Sequence, residues 1–328
     1  MPTNLPPEYY KIEERFREAK TNEEKAALLE DMLSVIPKHK GTDHLRADLR
    51  RKLSRLKDAS STKGKISRHA SAFHIDREGA GQVTVVGPAN TGKSAFVDAL
   101  TNAEPEVAEY PFTTRRPTPG MMPIENIQVQ LIDTPPIDRE FIEPELIDLI
   151  RRADLILLMI DLQGFPIEQF EQSIAFLEEN RIVPSHRRAQ FPEDRRWASP
   201  PFLILVNKVD DESLDEDYEV LREFIPREWH ILPISVLSGR GLDAMKKAVF
   251  DALEIIRVYS KAPGRDPDYN SPFVMKRGGT VDEFAAKIHQ DFARNLKAAR
   301  VWGSGEFEGQ MVSRDYELHD GDVVELRI

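Results

Sequence analysis

The chain has 328 residues, enough for two or three folding units of ordinary size. Its composition, 40% hydrophobic and 31% charged, is that of a globular protein, and the absence of cysteine excludes disulfides, thiolate metal sites and a thiol nucleophile. A formal net charge of −11 argues against a protein that coats nucleic acid with its whole surface.

Residues 1–78 read as a helical, basic amino-terminal region. The opening is polar and proline-rich, so no secretory signal is expected. Ile12, Phe16 and Ala19 recur at helical spacing, as do Leu28, Leu29, Met32 and Leu33, then Leu45, Leu49, Leu53 and Leu56. Thr21 and Glu24 have the spacing of a capping box, and Pro37 and Gly41 end the second helix. Positive charge then accumulates through Arg46, Arg50, Arg51, Lys52, Arg55, Lys57, Lys63, Lys65 and Arg68. Two readings fit: a solvated helix face with a charged linker, or an arm that faces RNA.

Residues 79–260 alternate short apolar runs with helical patterns. Strands are expected at Gln82–Val86, Ile127–Ile132, Leu155–Ile160, Phe202–Val206 and Trp229–Ile234. Helices are expected at Lys93–Thr101, Glu143–Arg151, Pro166–Glu179, Leu214–Phe224 and Leu242–Tyr259. This alternation predicts an α/β unit: a mostly parallel sheet with helices on both faces. The most apolar stretch, Asp154–Leu162, is too short to span a bilayer, so no membrane is expected. Arg181–Pro201 fits neither pattern and reads as a surface loop. Residues 261–272, rich in Pro, Gly and Asp, read as a linker. Residues 273–328 read as one helix on a small mixed sheet, with strands at Phe273–Met275 and Val323–Ile328 and a helix at Val281–Phe292.

The sharpest motif is Gly87-Pro88-Ala89-Asn90-Thr91-Gly92-Lys93-Ser94, set between a predicted strand and a predicted helix. In that setting the backbone N–H groups and the helix N-terminus cradle phosphates. Lys93 reaches the β- and γ-phosphates, and the Ser94 hydroxyl sits on Mg²⁺. Asp133, followed by Thr134, ends a strand where ligands bind in such sheets; it orients Mg²⁺, or is a turn or cap residue. Asn207-Lys208-Val209-Asp210 ends another strand and points to guanine. Asp210 can accept from the guanine N1–H and 2-amino group, a pair that adenine does not present. Asn207 ties this loop to the phosphate loop, and the Lys208 stem lies over the base. Ser235-Val236-Leu237 can offer a backbone N–H to the guanine carbonyl.

With these residues in view, the central block resembles the translation-factor class of GTPases, and within it the Obg and DRG family. Tyr110-Pro111-Phe112-Thr113-Thr114 resembles that family's switch I. The resemblance implies that Thr114, or failing it Thr113, binds Mg²⁺ in the GTP state. Residues 273–328 resemble a TGS domain, a ubiquitin-like β-grasp module, and Ile36–Gly41 with the following arginine helix resembles the amino-terminal region of DRG proteins. The implied function is a slow, Mg²⁺-dependent GTP-to-GDP switch in the cytoplasm. Its implied partners are ribosomes or RNA, met through the basic amino-terminal region and the TGS-like domain. The alternative is an adaptor that holds GTP and binds a protein through its tail. The family's third motif is altered to Asp133-Thr134-Pro135-Pro136, so the N–H expected at the γ-phosphate is missing at Pro136. Ile137 stands where a water-orienting glutamine is found in Ras-like proteins. Asn90 resembles the asparagine of potassium-activated GTPases, which suggests K⁺ as an electrophile; otherwise Asn90 caps its own loop.

Overall fold

The computed structural model describes residues 6–19, 22–36, 42, 45–53, 73–101, 116–139, 141–305 and 307–327. They form two bodies: residues up to 75 together with 137–149, and residues 76–136 with 150–328.

In the first body, α1 (Pro7–Glu18) starts on a proline, whose fixed φ and missing N–H suit a first helical turn. It is followed by α2 (Asn22–Val35) and a helical run over 45–53. Tyr9, Leu29, Met32, Leu33, Ile36, Leu49 and Leu53 bury one another there. Arg46 corrects the expected basic face: it is only 6% exposed, because it lies three and seven residues before Leu49 and Leu53 on the inward side. Arg50, Arg51 and Lys52 are exposed. Thr21, Leu56, Arg55, Lys57, Lys63, Lys65 and Arg68 lie outside the described residues, as does most of Ile36–Gly41.

The second body holds two sheets. In chain order its first elements are β1 (Gln82–Val86), α3 (Lys93–Leu100), β2 (Thr118–Ile124) and β3 (Ile127–Asp133). Next come α4 (Pro144–Arg151, mostly in the first body), β4 (Leu155–Asp161), α5 (Pro166–Glu179), β5 (Phe202–Asn207), α6 (Asp215–Phe224), β6 (Ile231–Pro233) and α7 (Leu242–Ala252). The strand order is β2-β3-β1-β4-β5-β6. All neighbours are parallel except β2 and β3, which form an antiparallel hairpin in register from Thr118↔Asp133 to Ile124↔Ile127. β1, β4 and β5 are buried at every residue, as expected of strands covered on both faces. Order reverses beside β1, which makes the carboxyl ends of β1, β3 and β4 the ligand crevice of a doubly wound sheet.

The second sheet contains β7 (Ile255–Ser260), β8 (Phe273–Lys276), β9 (Ala298–Trp302), β10 (Gln310–Val312) and β11 (Val323–Arg327), ordered β10-β9-β11-β7-β8. β7 and β11 are parallel at its centre, and the other pairs are antiparallel. α8 (Val281–Ile288) covers it, opened by a capping box between Thr280 and Glu283, with Phe284 in the core. α9 (Gln290–Asn295) follows.

Several expectations are corrected. The helix read over Leu242–Tyr259 ends at Ala252, and Ile255–Ser260 is the strand β7. The chain turns at Glu254, which takes φ 49° with no Gly or Pro to mark it. The helix read over Val281–Phe292 breaks at His289, which is extended and caps α9 with its ring. β6 starts at Ile231 rather than Trp229, and β2, β9 and β10 were not anticipated. Arg181–Pro201 is irregular as expected, apart from one 3-10 turn at Ser185–Gln190.

Candidate phosphate and guanine site

The phosphate loop leaves β1 at Gly87, whose φ of 156° and approach to β4 admit no side chain: a Cβ there would lie 2.2 Å from the Met159 carbonyl. Asn90 (φ 64°) and Gly92 (φ 94°) continue the curl into α3. Thr91 Oγ1 donates to Pro88 O at 3.1 Å, and Lys93 Nζ donates to the same carbonyl at 2.5 Å. The Lys93 ammonium is thus held inside the loop, with the side chain buried. The Asn90 side chain makes no hydrogen bond among the described residues, so the self-capping alternative is not observed. Pro88, Ala89 and Thr91 lie in the loop as the motif requires, with Ala89 and Asn90 exposed.

Ser94 opens α3 beside the end of β3, and its Oγ donates to Asp133 Oδ2 at 2.7 Å. Asp133 Oδ1 is buried and has no partner among the described residues. A carboxylate oxygen with no donor in a buried site lacks something cationic or a water held by it. The residues therefore fit Mg²⁺, with Ser94 and Asp133 as its protein side. Burial raises the Asp133 pKa; the Ser94 hydroxyl and the Lys93 charge pull the other way without cancelling it. Thr134 Oγ1 donates to Val85 O at 2.6 Å and fixes the strand end. Pro135 and Pro136 follow directly, and neither has an N–H. Phe112, Thr113 and Thr114 lie outside the described residues.

The loops bearing Asn207–Asp210 and Ser235–Leu237, expected to meet guanine, are tied to this site. Asn207 Nδ2 donates to Thr91 O at 2.9 Å, and Asn207 Oδ1 accepts from Val236 N at 3.2 Å. One buried side chain therefore joins the phosphate loop to the loop after β6. Asp210 Oδ1 accepts from Ser235 Oγ at 2.6 Å, and Ser235 Oγ accepts from Ser238 N at 3.0 Å. Leu237 is 86% exposed at the loop's tip. Lys208, at φ 67°, pairs with Asp161 Oδ2 at 2.5 Å.

Asp161 was not singled out from sequence. It ends β4, its Oδ1 accepts from Gln163 N at 2.9 Å, and Gln163 Nε2 reaches Lys208 O at 3.2 Å. Arg240 was missed too. It donates to Asp211 O at 2.9 Å and pairs with Asp215 at 2.7 Å, bracing the loop after Asp210. The rule that drew attention to Asp133, an acid at the end of a parallel strand, would also have found Asp161.

A glycine-lined phosphate loop at a topological switch point, joined through Asn207 to a loop bearing Asp210, decides the fold. The second body carries a P-loop GTPase fold and a TGS domain. Residues 82–208 match the family described as 50S ribosome-binding GTPase, and residues 256–328 match the TGS domain. An uncharacterized GTP-binding protein of Methanocaldococcus jannaschii is 29% identical, over 93% of this chain and 93% of its own length. Ribosome-interacting GTPase 1 of Saccharomyces cerevisiae is 25% identical, over 93% of this chain and 99% of its own. The Schizosaccharomyces pombe YchF GTPase structure superposes with a TM-score of 0.52 at 13% identity, covering 77% of this chain and 99% of that one, and speaks for the fold alone. No helix among the described residues is long and apolar enough to cross a membrane.

Proposed function

We propose that this P-loop GTPase-fold chain hydrolyses GTP to GDP and phosphate slowly, as a cytoplasmic switch of the Obg and DRG type that acts with ribosomes or RNA. The observation that carries the nucleotide chemistry is the Ser94–Asp133 pair with its unpartnered Asp133 Oδ1. Ser94 and Asp133 would hold Mg²⁺, with Thr114 or Thr113 completing the set in the GTP state. An ion held there would offset negative charge on the β- and γ-phosphate oxygens. Lys93, released from the Pro88 carbonyl, neutralises the same oxygens. Asp210 reads the guanine edge, the Lys208 stem covers its face, and a backbone N–H of Ser235–Leu237 meets its carbonyl. Ile137 offers no polar atom to orient water, which supports slow turnover.

The Asn90 amide, exposed and without a hydrogen-bond partner among the described residues, supports K⁺ beside the phosphates as the electrophile. Phosphate release that is several-fold faster in KCl than in NaCl is the expected result; equal rates would remove K⁺ from the mechanism. The ribosome role draws on the names of the relatives and on the TGS domain. Its test is co-sedimentation with ribosomes under a non-hydrolysable GTP analogue, GDP or no nucleotide. Pelleting that depends on the analogue supports the switch, whereas no pelleting in any state defeats the ribosome role and leaves GTP binding intact.

Pro136 favours a second reading, an adaptor that holds GTP with negligible turnover, because no backbone N–H is available there to sense the γ-phosphate. Tight GTP retention with no phosphate released over hours would select it.

A further inference from the structure

The nucleotide lies at the carboxyl ends of the strands; the opposite end of the same sheet carries a concentration of arginine. Residues 181–201 contain five arginines, no lysine and two acids, Glu193 and Asp194, in a chain whose net charge is −11. The segment is built rather than slack. Val183 N donates to Ala198 O at 2.9 Å, Ala198 N to Arg181 O at 3.0 Å, and Ser185 N to Pro200 O at 3.1 Å, so its two ends are stitched together. Ile182, Val183 and Pro184 are buried, and Phe191 packs on Trp197 with ring centres 4.7 Å apart. Arg187 braces the base of the loop, pairing with Glu178 at 3.0 Å and stacking 5.7 Å over Trp229. Arg188 donates to Phe191 O at 3.1 Å. The side chains of Arg181, Arg195 and Arg196 remain exposed, with no ion-pair or hydrogen-bond partner among the described residues.

We propose that this arginine loop is a docking site for the backbone phosphates of RNA, on the pole of the GTPase fold opposite the nucleotide. The proposal rests on the RNA side of the reading above and gives it a surface. Three unpaired guanidinium groups on a stitched, aromatic-braced loop present forked donors whose geometry matches phosphate oxygens, and little ordering is left to be done on binding. Within the loop five arginines outnumber two acids; Glu178, taken up by Arg187, and Glu179 at its base reduce the local excess to one positive charge, while the chain as a whole is negative. β4 and β5 separate this pole from the phosphate loop by about 20 Å, so RNA and nucleotide do not compete for space.

The test is fluorescence anisotropy of a labelled RNA hairpin with a stem of about 16 base pairs, using the full chain and the variant carrying Arg181→Ala, Arg195→Ala and Arg196→Ala. Titrations run at several KCl concentrations between about 50 and about 200 mM. The expected result is affinity more than tenfold weaker at the lowest salt. The slope of log affinity against log salt should become shallower by about 2 to 3, near one unit per lost phosphate contact. Fluorescent GDP binding by the variant should equal that of the parent, which shows that the fold is intact. Unchanged RNA affinity and slope would overturn the proposal. So would loss of ribosome pelleting with RNA binding intact, because the loop would then meet a protein. A parent chain that pellets with ribosomes but ignores the hairpin would overturn it as well, while leaving the ribosome role standing.

Discussion

Gly92 and Asn207 share one small space. A Cβ on Gly92 would lie 2.4 Å from Asn207 Nδ2, the amide that donates to Thr91 O at 2.9 Å and so links the phosphate loop to the guanine loops. Gly92 also sits at φ 94°, where a side chain is strained. Gly92→Ala should therefore displace Asn207 and separate the two halves of the site. We expect GDP affinity to fall by about a hundredfold or more, on the order of 3 kcal/mol. Titration with fluorescent GDP checks this; affinity within a factor of three of the parent would show that the Asn207 tie is dispensable.

The raised pKa of Asp133 has a definite sign. The carboxyl is buried and its Oδ1 has no donor among the described residues, so its neutral form persists to higher pH than that of a free aspartate. Its contribution to stability is fully present below the ordinary aspartate range, about pH 4, and is lost as pH rises through the higher folded value. Cation binding needs the ionised form, so Mg²⁺ affinity should rise over that same window. Asp133→Asn removes the charge. At pH 7 its nucleotide-free urea midpoint should match or exceed the parent's, while Mg²⁺-dependent tightening of GDP should disappear. A clear loss of stability without gain at any pH would contradict the assignment.

Asp210 accepts from Ser235 Oγ at 2.6 Å, which aims its carboxylate. An amide in its place presents a donor to the guanine 2-amino group, and a buried clash of two donors costs several kcal/mol. Asp210→Asn should lose GTP by about a hundredfold or more and gain xanthosine triphosphate, whose 2-oxo group accepts the new donor. Competition between the two nucleotides in one binding assay reads this directly. Retained preference for GTP would mean that Asp210 does not read the base.

Arg257 joins the two sheets of the second body. It forks onto Asp320, with Nε to Oδ1 at 3.0 Å and Nη2 to Oδ2 at 2.7 Å, and it also pairs with Glu125 at the turn of the β2–β3 hairpin. Burial pushes the Asp320 carboxyl up, but the Arg257 hydrogen bonds and charge outweigh it and hold the group below the usual carboxylate range. The stability from this pair is therefore present above about pH 4 and lost as pH falls through the lower folded value. Arg257→Ala should cost about 2 kcal/mol at pH 7 and less in acid. Urea denaturation at pH 7 and pH 3.5 measures it, and an equal cost at both would remove the ion pair as the cause.

The P-loop GTPase fold was legible because its phosphate loop carries particular residues at fixed spacing, and because β1, β4 and β5 are apolar runs buried on both faces. β2 carries Pro119, Gly120 and Pro123, residues disfavoured in strands, and shows no strand pattern; prolines are tolerated there because the strand lies at the sheet edge. β7 was read as helix because Ile255, Ile256 and Val258 continue the apolar spacing of α7, and tertiary pairing with β8 and β11 decides otherwise. The Arg46 side chain shows the same limit on the charged side, since counting basic residues says nothing about which of them face inward. Asp161 and Arg240 were overlooked because their role is to hold Lys208 and the neighbouring loop rather than to match a nucleotide-binding pattern.

β7 also governs how the molecule can be cut. Its first residue, Ile255, belongs to the core of the GTPase sheet, whereas its neighbours in pairing are β8 and β11. Truncation of the chain after residue 260 would strip both partners from an apolar strand and leave a naked edge, a template for self-association. A cut before Ile255 would instead take a side chain out of the GTPase core. Neither half is a detachable cassette, and precipitation of a shortened chain would report on this shared strand rather than on the loss of a binding partner.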